Sequence, residues 1–467
     1  MASNLSITED APQTVTSFAE LAEEAKHTLK LAWPLALGFI GHNLMGMVDT
    51  AMVSRLGKTS LAGVGVANGL FFTLSITGMG IVTGLDPVMS QAVGAKEGAR
   101  VTAAYRAGLR LVGLLAIPTM LAVLASPMLL PLFGVSAAIT SEAVRFLSAR
   151  AIGVVPFLMF GAFRCTLQTR GVTKPVLHGA ILANVVNIAL NPLLIFGDGA
   201  LARVGLPPIG FHGLGVVGSG LASTVATFAQ MVVLYRAVRG LAPLEGGGDT
   251  DVRVSRIAAI GLPIGLTMLA EIGAFTVVAI LAGRIGPEAA SGHQVAIQLA
   301  SITFTATLAV GNATSVRVGQ AVGRGDPSGV RRAGWAGLAL SALYMSMTSV
   351  MFLTLASQLA NIVAAQPEIV AVAIPLIHIA AAFQLFDGAQ VVASGALRGL
   401  GDTKFSQLAN TIGYYAIGLP ISGALAFGAG LAERGLWWGL CAGLASVAIL
   451  LVLRFKRKSS EPIVRTG

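Results

Sequence analysis

The sequence predicts an all-α integral membrane protein with twelve transmembrane helices in two six-helix lobes, related to each other by a parallel internal repeat. Three observations predict this fold: the composition, the number of long apolar segments, and a pattern shared by the two halves. Of the 467 residues, 55% are hydrophobic and only 11% are charged, whereas soluble domains carry about 25% charged residues. So little polar surface could not cover a soluble core of this length.

Apolar segments long enough to cross a bilayer, which takes about 20 residues, occur twelve times. Their predicted bounds are 31–54, 62–90, 107–133, 143–166, 175–197, 213–235, 257–281, 292–316, 334–357, 370–396, 405–427 and 435–453. The chain therefore divides into a cytoplasmic N-terminal tail with an interfacial amphipathic helix (1–30), an N-lobe (31–235), a cytoplasmic linker (236–256), a C-lobe (257–453) and a cytoplasmic C-terminal tail (454–467).

Positive charge predicts the orientation of these segments. Most of the 31 Lys and Arg residues lie in the two tails and in the loops after even-numbered spans. Because positively charged loops stay in the cytoplasm, we expect a multi-pass protein of the cell (inner) membrane with both termini cytoplasmic. The net charge of +10 is explained in this way, and we expect no nucleic-acid partner.

The two halves share a sequence pattern at a constant shift of 229 positions. The shift aligns Pro34 with Pro263 and places the QAVG at 91–94 on the QAVG at 320–323. Six spans separate the copies, so both have the same orientation in the membrane. Parallel repeats of this kind are typical of transporters.

Three carboxylates lie well inside predicted spans: Asp49, Glu271 and Asp387. A charge at the centre of a span costs about 2.5–3.5 kcal/mol on insertion scales, so such residues usually face a polar interior and serve a function. At about 1.5 Å per residue, Glu271 and Asp387 come near the same depth at mid-membrane. Two carboxylates there can hold a small cation or share a proton, so we predict a cation or proton site at this pair.

Weaker candidates surround these acids. Phe383 lies one turn before Asp387 and could cover a bound cation with its ring face. Gln294, Gln298 and His42 are candidates for lining a cavity. Asp86, near the end of the second span, is expected to meet basic loop residues.

The first half has its own polar stripe beside Asp49. Asn184, Asn187 and Asn191 recur at helical spacing in the fifth span. Membrane asparagines often do no more than bind helices together, and for these three the sequence leaves both interpretations open.

Four segments together resemble the MATE (multidrug and toxic compound extrusion) family, in its NorM-like branch. They are MVDTAMVSRLG (47–57), LPIGLTMLAEIGAFTVVAILAGRIG (262–286), SGHQVAIQLAS (291–301) and FQLFDGAQVVASGALRGLGDT (383–403). The resemblance implies two lobes around a cleft that opens alternately to the cytoplasm and to the exterior.

By position, the resemblance implies two sites. The cation site of the C-lobe, for Na⁺ or H⁺, would be formed by Glu271, Asp387 and Phe383, with Na⁺ held by the two carboxylates. The polar site of the N-lobe would be formed by Asp49, Asn187, Asn191 and Ser223, where Ser223 takes the place of a threonine common in relatives.

The function that the resemblance implies is secondary active multidrug efflux, with inward Na⁺ or H⁺ exchanged for outward amphipathic organic cations. The alternative is a flippase of the same superfamily for lipid-linked or other amphipathic cargo, which we would expect to line its cleft with cations. An intramembrane enzyme would need a His/Asp or metal constellation, and a receptor or scaffold would have no use for an acidic pair at mid-membrane. We therefore expect no enzyme activity, no cofactor, and a monomer whose partners are small-molecule cations and the bilayer. The compounds exported and the choice of Na⁺ or H⁺ stay open.

Overall fold

The computed structural model describes residues 18–203, 205, 207 and 210–466. Twelve helical segments in this part of the chain are long and apolar enough to cross a membrane, which confirms the predicted fold class. We number them α1 to α12. Their bounds are Phe18–Leu56, Lys58–Gly94, Gly98–Phe133, Ala137–Thr169, Lys174–Phe196, Val216–Arg239, Val254–Ile285, Pro287–Arg324, Pro327–Thr354, Pro367–Gly399, Thr403–Gly428 and Ala432–Lys458. Two short helices, Asp198–Arg203 and Ala356–Val363, follow α5 and α9.

Several helices are longer than the apolar segments that predicted them. The helix α8 has 38 residues, a length of about 57 Å, which exceeds the roughly 30 Å of hydrocarbon in a bilayer. The apolar pattern marks only the part of a helix that meets lipid, so it underestimates helices that continue into polar surroundings.

The predicted N-terminal tail is described only in part, because residues 1–17 lie outside the described residues. Residues 18–30 form the first turns of α1 and continue directly into the span. Arg317, near the end of α8, donates two hydrogen bonds to Glu24: Nε to Oε1 at 2.5 Å and Nη2 to Oε2 at 2.8 Å. The start of α1 is thus held against the helical bundle by a bidentate ion pair.

The turn between α8 and α9 shows how local sequence ends one helix and starts the next. Gly325 adopts a left-handed conformation with φ 68°, which suits a residue without Cβ. The carboxylate of Asp326 then caps α9 by accepting a hydrogen bond from the backbone N–H of Gly329 at 2.8 Å. Burial alone would raise the pKa of Asp326, but hydrogen bonds from Ser328 and Gly329 and the charges of Arg332 and Arg324 lower it.

The helices α1–α6 form the N-lobe and α7–α12 form the C-lobe. The lobes meet at the end of the molecule where α1 begins and α12 ends, which we call the terminal end. The repeated QAVG motifs pack on each other there: a Cβ added to Gly94 would lie 2.1 Å from the carbonyl oxygen of Gln320, and one added to Gly323 would lie 2.0 Å from that of Gln91. Residues that the repeat makes equivalent therefore contact each other across the boundary between the lobes.

A second crossing of the lobes also depends on glycine. Gly80 and Gly84 of α2 face Gly261 and Gly265 of α7, and a Cβ on Gly261 would lie 1.9 Å from the carbonyl oxygen of Ile81. Glycines four residues apart let two membrane helices approach closely. We call the region of these two crossings the terminal seam.

The C-terminal residues cross the terminal seam. The backbone N–H and the hydroxyl of Thr466 donate hydrogen bonds to Oε1 of Gln91 at 2.8 and 2.7 Å. Arg465 forms an ion pair with Glu97 at 3.0 Å. Residues that follow the C-lobe are in this way tied to the N-lobe.

Candidate cation-binding sites and the central cavity

A cavity of about 660 Å³ lies between the lobes, and we call it the central cavity. Helices of both lobes line it, chiefly α1, α2, α4, α7, α8 and α10. The terminal seam closes it at one end. Further from the seam, Phe72, Thr276 and Gln294 line the cavity. The two lobes are therefore in contact at the terminal end, and beyond it they border the cavity, in whose wall Nδ2 of Asn43 in α1 donates a hydrogen bond to Oγ1 of Thr305 in α8 at 3.2 Å.

Glu271 of α7 and Asp387 of α10 both line the central cavity. Asp387 is only 3% exposed, Glu271 is half-buried, and the two carboxylates are within electrostatic range of each other. The described residues offer neither acid a hydrogen bond or an ion pair. A cation in the cavity would therefore supply the interaction that both carboxylates lack.

Aromatic and amide side chains form the wall behind this acid pair. Phe383 is buried, lines the cavity and meets the ring of Trp437 edge-on, with 6.0 Å between ring centroids. The hydroxyl of Tyr414 donates a hydrogen bond to Oε1 of Gln390 at 3.1 Å. Sequence analysis identified Phe383 but missed Trp437, Tyr414 and Gln390, because uncharged residues in apolar segments give no signal of their position.

The N-lobe cluster, formed by Asp49, Asn187, Asn191 and Ser223, is fully buried. Oδ1 of Asp49 accepts hydrogen bonds from Nδ2 of Asn187 at 2.9 Å and from Nδ2 of Asn191 at 2.7 Å. Its other oxygen accepts a hydrogen bond from the hydroxyl of Ser223. The structure thus brings all four predicted residues together, with α1, α5 and α6 each contributing. They do not line the central cavity.

Oxygen atoms in the N-lobe cluster are left without partners. Oδ1 of Asn187 and Oδ1 of Asn191 are both buried and accept no hydrogen bond within the described structure. Asn184 of the same stripe has a different role, since its Nδ2 donates to the carbonyl oxygen of Gly41 at 2.8 Å. Asn184 therefore joins α5 to α1, whereas Asn187 and Asn191 donate hydrogen bonds to the carboxylate of Asp49.

Arg150 is a buried neighbour of the N-lobe cluster that sequence analysis missed. Its Nη1 donates to the hydroxyl of Thr227 at 3.2 Å, and its guanidinium lies 4.3 Å from the ring centroid of Phe71. Thr227 in turn donates to the carbonyl oxygen of Ser223 at 2.7 Å. The N-lobe therefore holds a buried positive charge within electrostatic range of Asp49.

Of the three residues predicted to line a cavity, two do so and one does not. His42 and Gln294 line the central cavity, and His42 packs on Phe157 with 5.9 Å between ring centroids. Gln298 is exposed and is not among the lining residues. The lining stripe of α8 passes through Gln294 and Ile297, and Gln298 lies beyond its edge.

The prediction that Asp86 contacts basic loop residues is wrong. It is fully buried, and its Oδ1 accepts a hydrogen bond from Nε2 of Gln168 at 2.6 Å. The contact between the two lobes covers this position, so the loop residues do not reach it.

Comparison with known proteins gives the family. Residues 34–193 and 263–422 both match MatE, and these two segments begin at the prolines that the repeat aligns. The chain is 34% identical to multidrug resistance protein NorM of Burkholderia vietnamiensis, over 97% of this chain and 98% of that protein. It is 35% identical to a probable multidrug resistance protein NorM of Deinococcus radiodurans, over 95% of this chain and 96% of that protein.

Solved structures share the fold. The eukaryotic MATE transporter AtDTX14 superposes with a TM-score of 0.82 at 21% identity, over 95% of this chain and 100% of that one. An outward-facing multidrug resistance MATE transporter of the MOP superfamily gives a TM-score of 0.82 at 19% identity, over 96% of this chain and 99% of that one. The chain therefore belongs to the MatE family of multi-pass membrane transporters, in its NorM-like branch, and is not an enzyme.

Proposed function

We propose that this protein is a secondary active exporter that exchanges inward-moving Na⁺ or H⁺ for amphipathic organic cations. One observation carries the proposal: Glu271 and Asp387 face a cavity between the lobes, and no described residue neutralises them. An uncompensated carboxylate inside a membrane is costly. A cation, whether coupling ion or cargo, is the partner that lowers this cost, and the two compete for the same pair.

The geometry of α7 supports a link between cation binding and the movement of the lobes. Gly261, at the terminal seam, and Glu271, at the cavity, lie ten residues apart on this helix, or about 15 Å along its axis. Opening the seam moves α7 relative to α2 and therefore moves one of the two acids. An ion that binds the two arrangements with different affinity shifts the equilibrium between them, and one that binds both equally does not.

The predicted orientation assigns a direction to this cycle. If the protein spans the inner membrane with its terminal end in the cytoplasm, the terminal seam is the closed cytoplasmic gate. The central cavity then faces the exterior. The protein would act as a monomer, since each lobe carries a polar site and the cavity lies between lobes of one chain. The printed names of the relatives, multidrug resistance proteins, support a cargo of several drug-like compounds.

The N-lobe cluster is proposed as a second polar site. Asp49 already accepts hydrogen bonds from three side chains, so a cation must displace donors to bind there. Turning either asparagine amide would replace a donor with a carbonyl oxygen, and carboxylate and carbonyl oxygens are the ligands that hard cations prefer. We therefore place coupling at the C-lobe pair first and give the N-lobe cluster a supporting role.

A flippase for lipid-linked cargo is the second candidate, and one observation favours it. Arg164 and Arg398 line the central cavity near the terminal seam, so the cavity is not lined by acids alone. Two acids and two arginines suit a cargo that carries positive charge better than they suit a polyanionic headgroup.

Reconstituted transport tests the proposal. Proteoliposomes are loaded with a fluorescent organic cation, and a Na⁺ gradient or a pH gradient is then imposed separately. We expect at least one gradient to drive cation movement, and its collapse by an ionophore to stop it. Gradient-independent movement of a headgroup-labelled phospholipid, with no cation transport, would instead support the flippase and contradict the exporter.

A further inference from the structure

The end of the central cavity nearest the terminal seam, which we call the cavity floor, carries two arginines that the proposed exchange does not use. Arg164 of α4 and Arg398 of α10 both line the cavity and are both more than nine-tenths buried. Arginines of membrane proteins are usually paired or exposed to water at helix ends. Buried guanidinium groups that face a cavity therefore call for a ligand or a partner.

Arg164 has no hydrogen-bond or ion-pair partner among the described residues. Its Nε is buried and unpaired, and its guanidinium lies 5.4 Å from the ring centroid of Phe39. An aromatic face restrains the guanidinium plane but does not satisfy its N–H donors. The unused donors of Arg164 are therefore available to a molecule in the cavity.

Arg398 is oriented by neutral groups. Its Nε donates to the hydroxyl of Ser315 at 3.1 Å and its Nη2 donates to Oδ1 of Asn312 at 2.7 Å. Arg164 and Asp86 are both within electrostatic range of Arg398. Asp86 can compensate one of the two arginines, so the floor keeps a net positive charge.

We propose that Arg164 and Arg398 form an anion subsite that binds a single carboxylate-type group at the cavity floor. The subsite lies eleven residues from Asp387 along α10, or about 16 Å along the helix axis. Long arginine side chains shorten that distance. A cargo with an amine at one end and a carboxylate at the other would meet opposite charges at both ends.

This inference rests on the proposed export of organic cations and adds a binding site for an anionic group in the same cavity. It also explains why acids and arginines share one cavity, which a purely cationic cargo does not require. A free monovalent oxyanion from solution has the same chemistry as a cargo carboxylate, and the experiment separates the two sources.

The test uses one xanthene dye in two forms: the ethyl ester, which is a cation, and the free acid, which is a zwitterion. Binding of each form to purified full-length protein is measured by fluorescence anisotropy for wild type, Arg164→Gln, Arg164→Lys and the control Arg145→Gln, an exposed arginine of the same helical segment. Acetate is titrated in parallel, with binding and apparent melting temperature as readouts.

We expect Arg164→Gln to weaken binding of the zwitterion by about tenfold or more, since hydrogen bonds to charged groups have this size, and to leave the ester unchanged. Arg164→Lys should restore part of the loss. If acetate stabilises wild type but not Arg164→Gln while both dye forms bind alike, the subsite holds a free anion and the proposal stands with that occupant.

Two results would overturn the subsite. One is an equal loss of both dye forms in Arg164→Gln, which would mean that the arginine only keeps the lobes together. The other is no difference between wild type and Arg164→Gln with either dye form or with acetate. Failure of the ester to bind wild type at all would contradict the proposed function separately, because the ester does not need the arginines.

Discussion

The two lobes hold buried carboxylates in opposite ways. In the N-lobe, Asp49 accepts hydrogen bonds from two amides and a hydroxyl and lies outside the central cavity. In the C-lobe, Glu271 and Asp387 line that cavity and have no such partners among the described residues. The first arrangement stabilises a charge with fixed dipoles, and the second leaves the charge to be balanced by something that enters and leaves.

The internal repeat sharpens this contrast. The shift of 229 positions places Glu271 on His42 and Asp49 on Val278. His42 also lines the cavity, whereas Val278 is fully buried in an apolar cluster. Duplication has therefore preserved the frame of helices and the terminal seam, while the charged positions differ between the copies. A polar residue in one lobe therefore does not predict a polar residue at the equivalent position of the other lobe.

The largest effect should come from neutralising the C-lobe pair. Glu271→Gln and Asp387→Asn remove the charge with little change in volume, so we expect each to reduce gradient-driven cation transport by more than about tenfold, since a lost ion-pair partner in a low-dielectric site has this size. The measurement is initial transport rate in proteoliposomes, normalised to folded protein by size-exclusion chromatography. Glu288→Gln, at an exposed position in α8, is the matched control. Wild-type rates in both variants would remove the C-lobe pair from the mechanism.

The terminal seam comes next. Gly261→Leu places a side chain where a Cβ alone would come within 1.9 Å of a backbone oxygen, so we expect the seam to separate. Ser90→Cys, a fully buried position at the seam, reports this through maleimide labelling, since Cys165 and Cys441 are buried. Labelling should rise several-fold with Gly261→Leu and stay unchanged with Gly283→Leu, which has open space around it. Equal labelling in both backgrounds would show that the seam tolerates the larger side chain.

Much of this architecture could be predicted from the sequence, for identifiable reasons. Twelve apolar segments and a repeat at a shift of 229 positions are properties of the chain alone, and they specify the fold. Glu271 and Asp387 could be found because a carboxylate in apolar sequence is conspicuous. Arg164 and Arg398 were missed because they lie near predicted span ends, where arginines normally reach water. Only the contact between the lobes, which buries those ends, reveals their position.

The cavity itself could not be predicted residue by residue. Gln294 and Gln298 are one turn apart and look equivalent in sequence, yet only Gln294 lines the cavity. The direction in which a helix presents its stripe is set by neighbouring helices far away in the chain. Ser223 was identified as a site residue only through the resemblance to the family, because nothing in the sequence distinguishes it from other membrane serines.

A smaller effect is expected in the N-lobe. Asp49→Asn replaces an acceptor of three hydrogen bonds with an amide, so donors of Asn187, Asn191 and Ser223 lose their charged partner. Hydrogen bonds to charged groups contribute about 1.5–3 kcal/mol each, and we expect a lower apparent melting temperature together with transport that is reduced but not abolished. Thr50→Ala, at the next and exposed position, is the control. Loss of transport as complete as in Asp387→Asn would mean that the N-lobe cluster is a coupling site of equal weight.

The smallest effect concerns the cap of α9. Asp326→Ala removes the acceptor of the Gly329 N–H, a loss of about 0.5–2 kcal/mol. Because the folded-state pKa of Asp326 is lowered, its contribution is present above the pKa of the unfolded chain and is lost as pH falls through the folded-state value. The difference in melting temperature between wild type and variant should therefore be full at neutral pH and shrink in acid. A difference that does not change with pH would show that the carboxylate charge has no part in the cap.

The central claim is that the C-lobe acid pair binds the coupling ion and the cargo in turn. Equilibrium binding of a radiolabelled lipophilic cation to purified protein tests it most directly, with Na⁺ concentration and pH varied independently. The account predicts that Na⁺ or protons weaken cation binding competitively in wild type, and that Asp387→Asn abolishes this competition. Cation binding that responds to neither ion, or a competition that persists unchanged in Asp387→Asn, would contradict it.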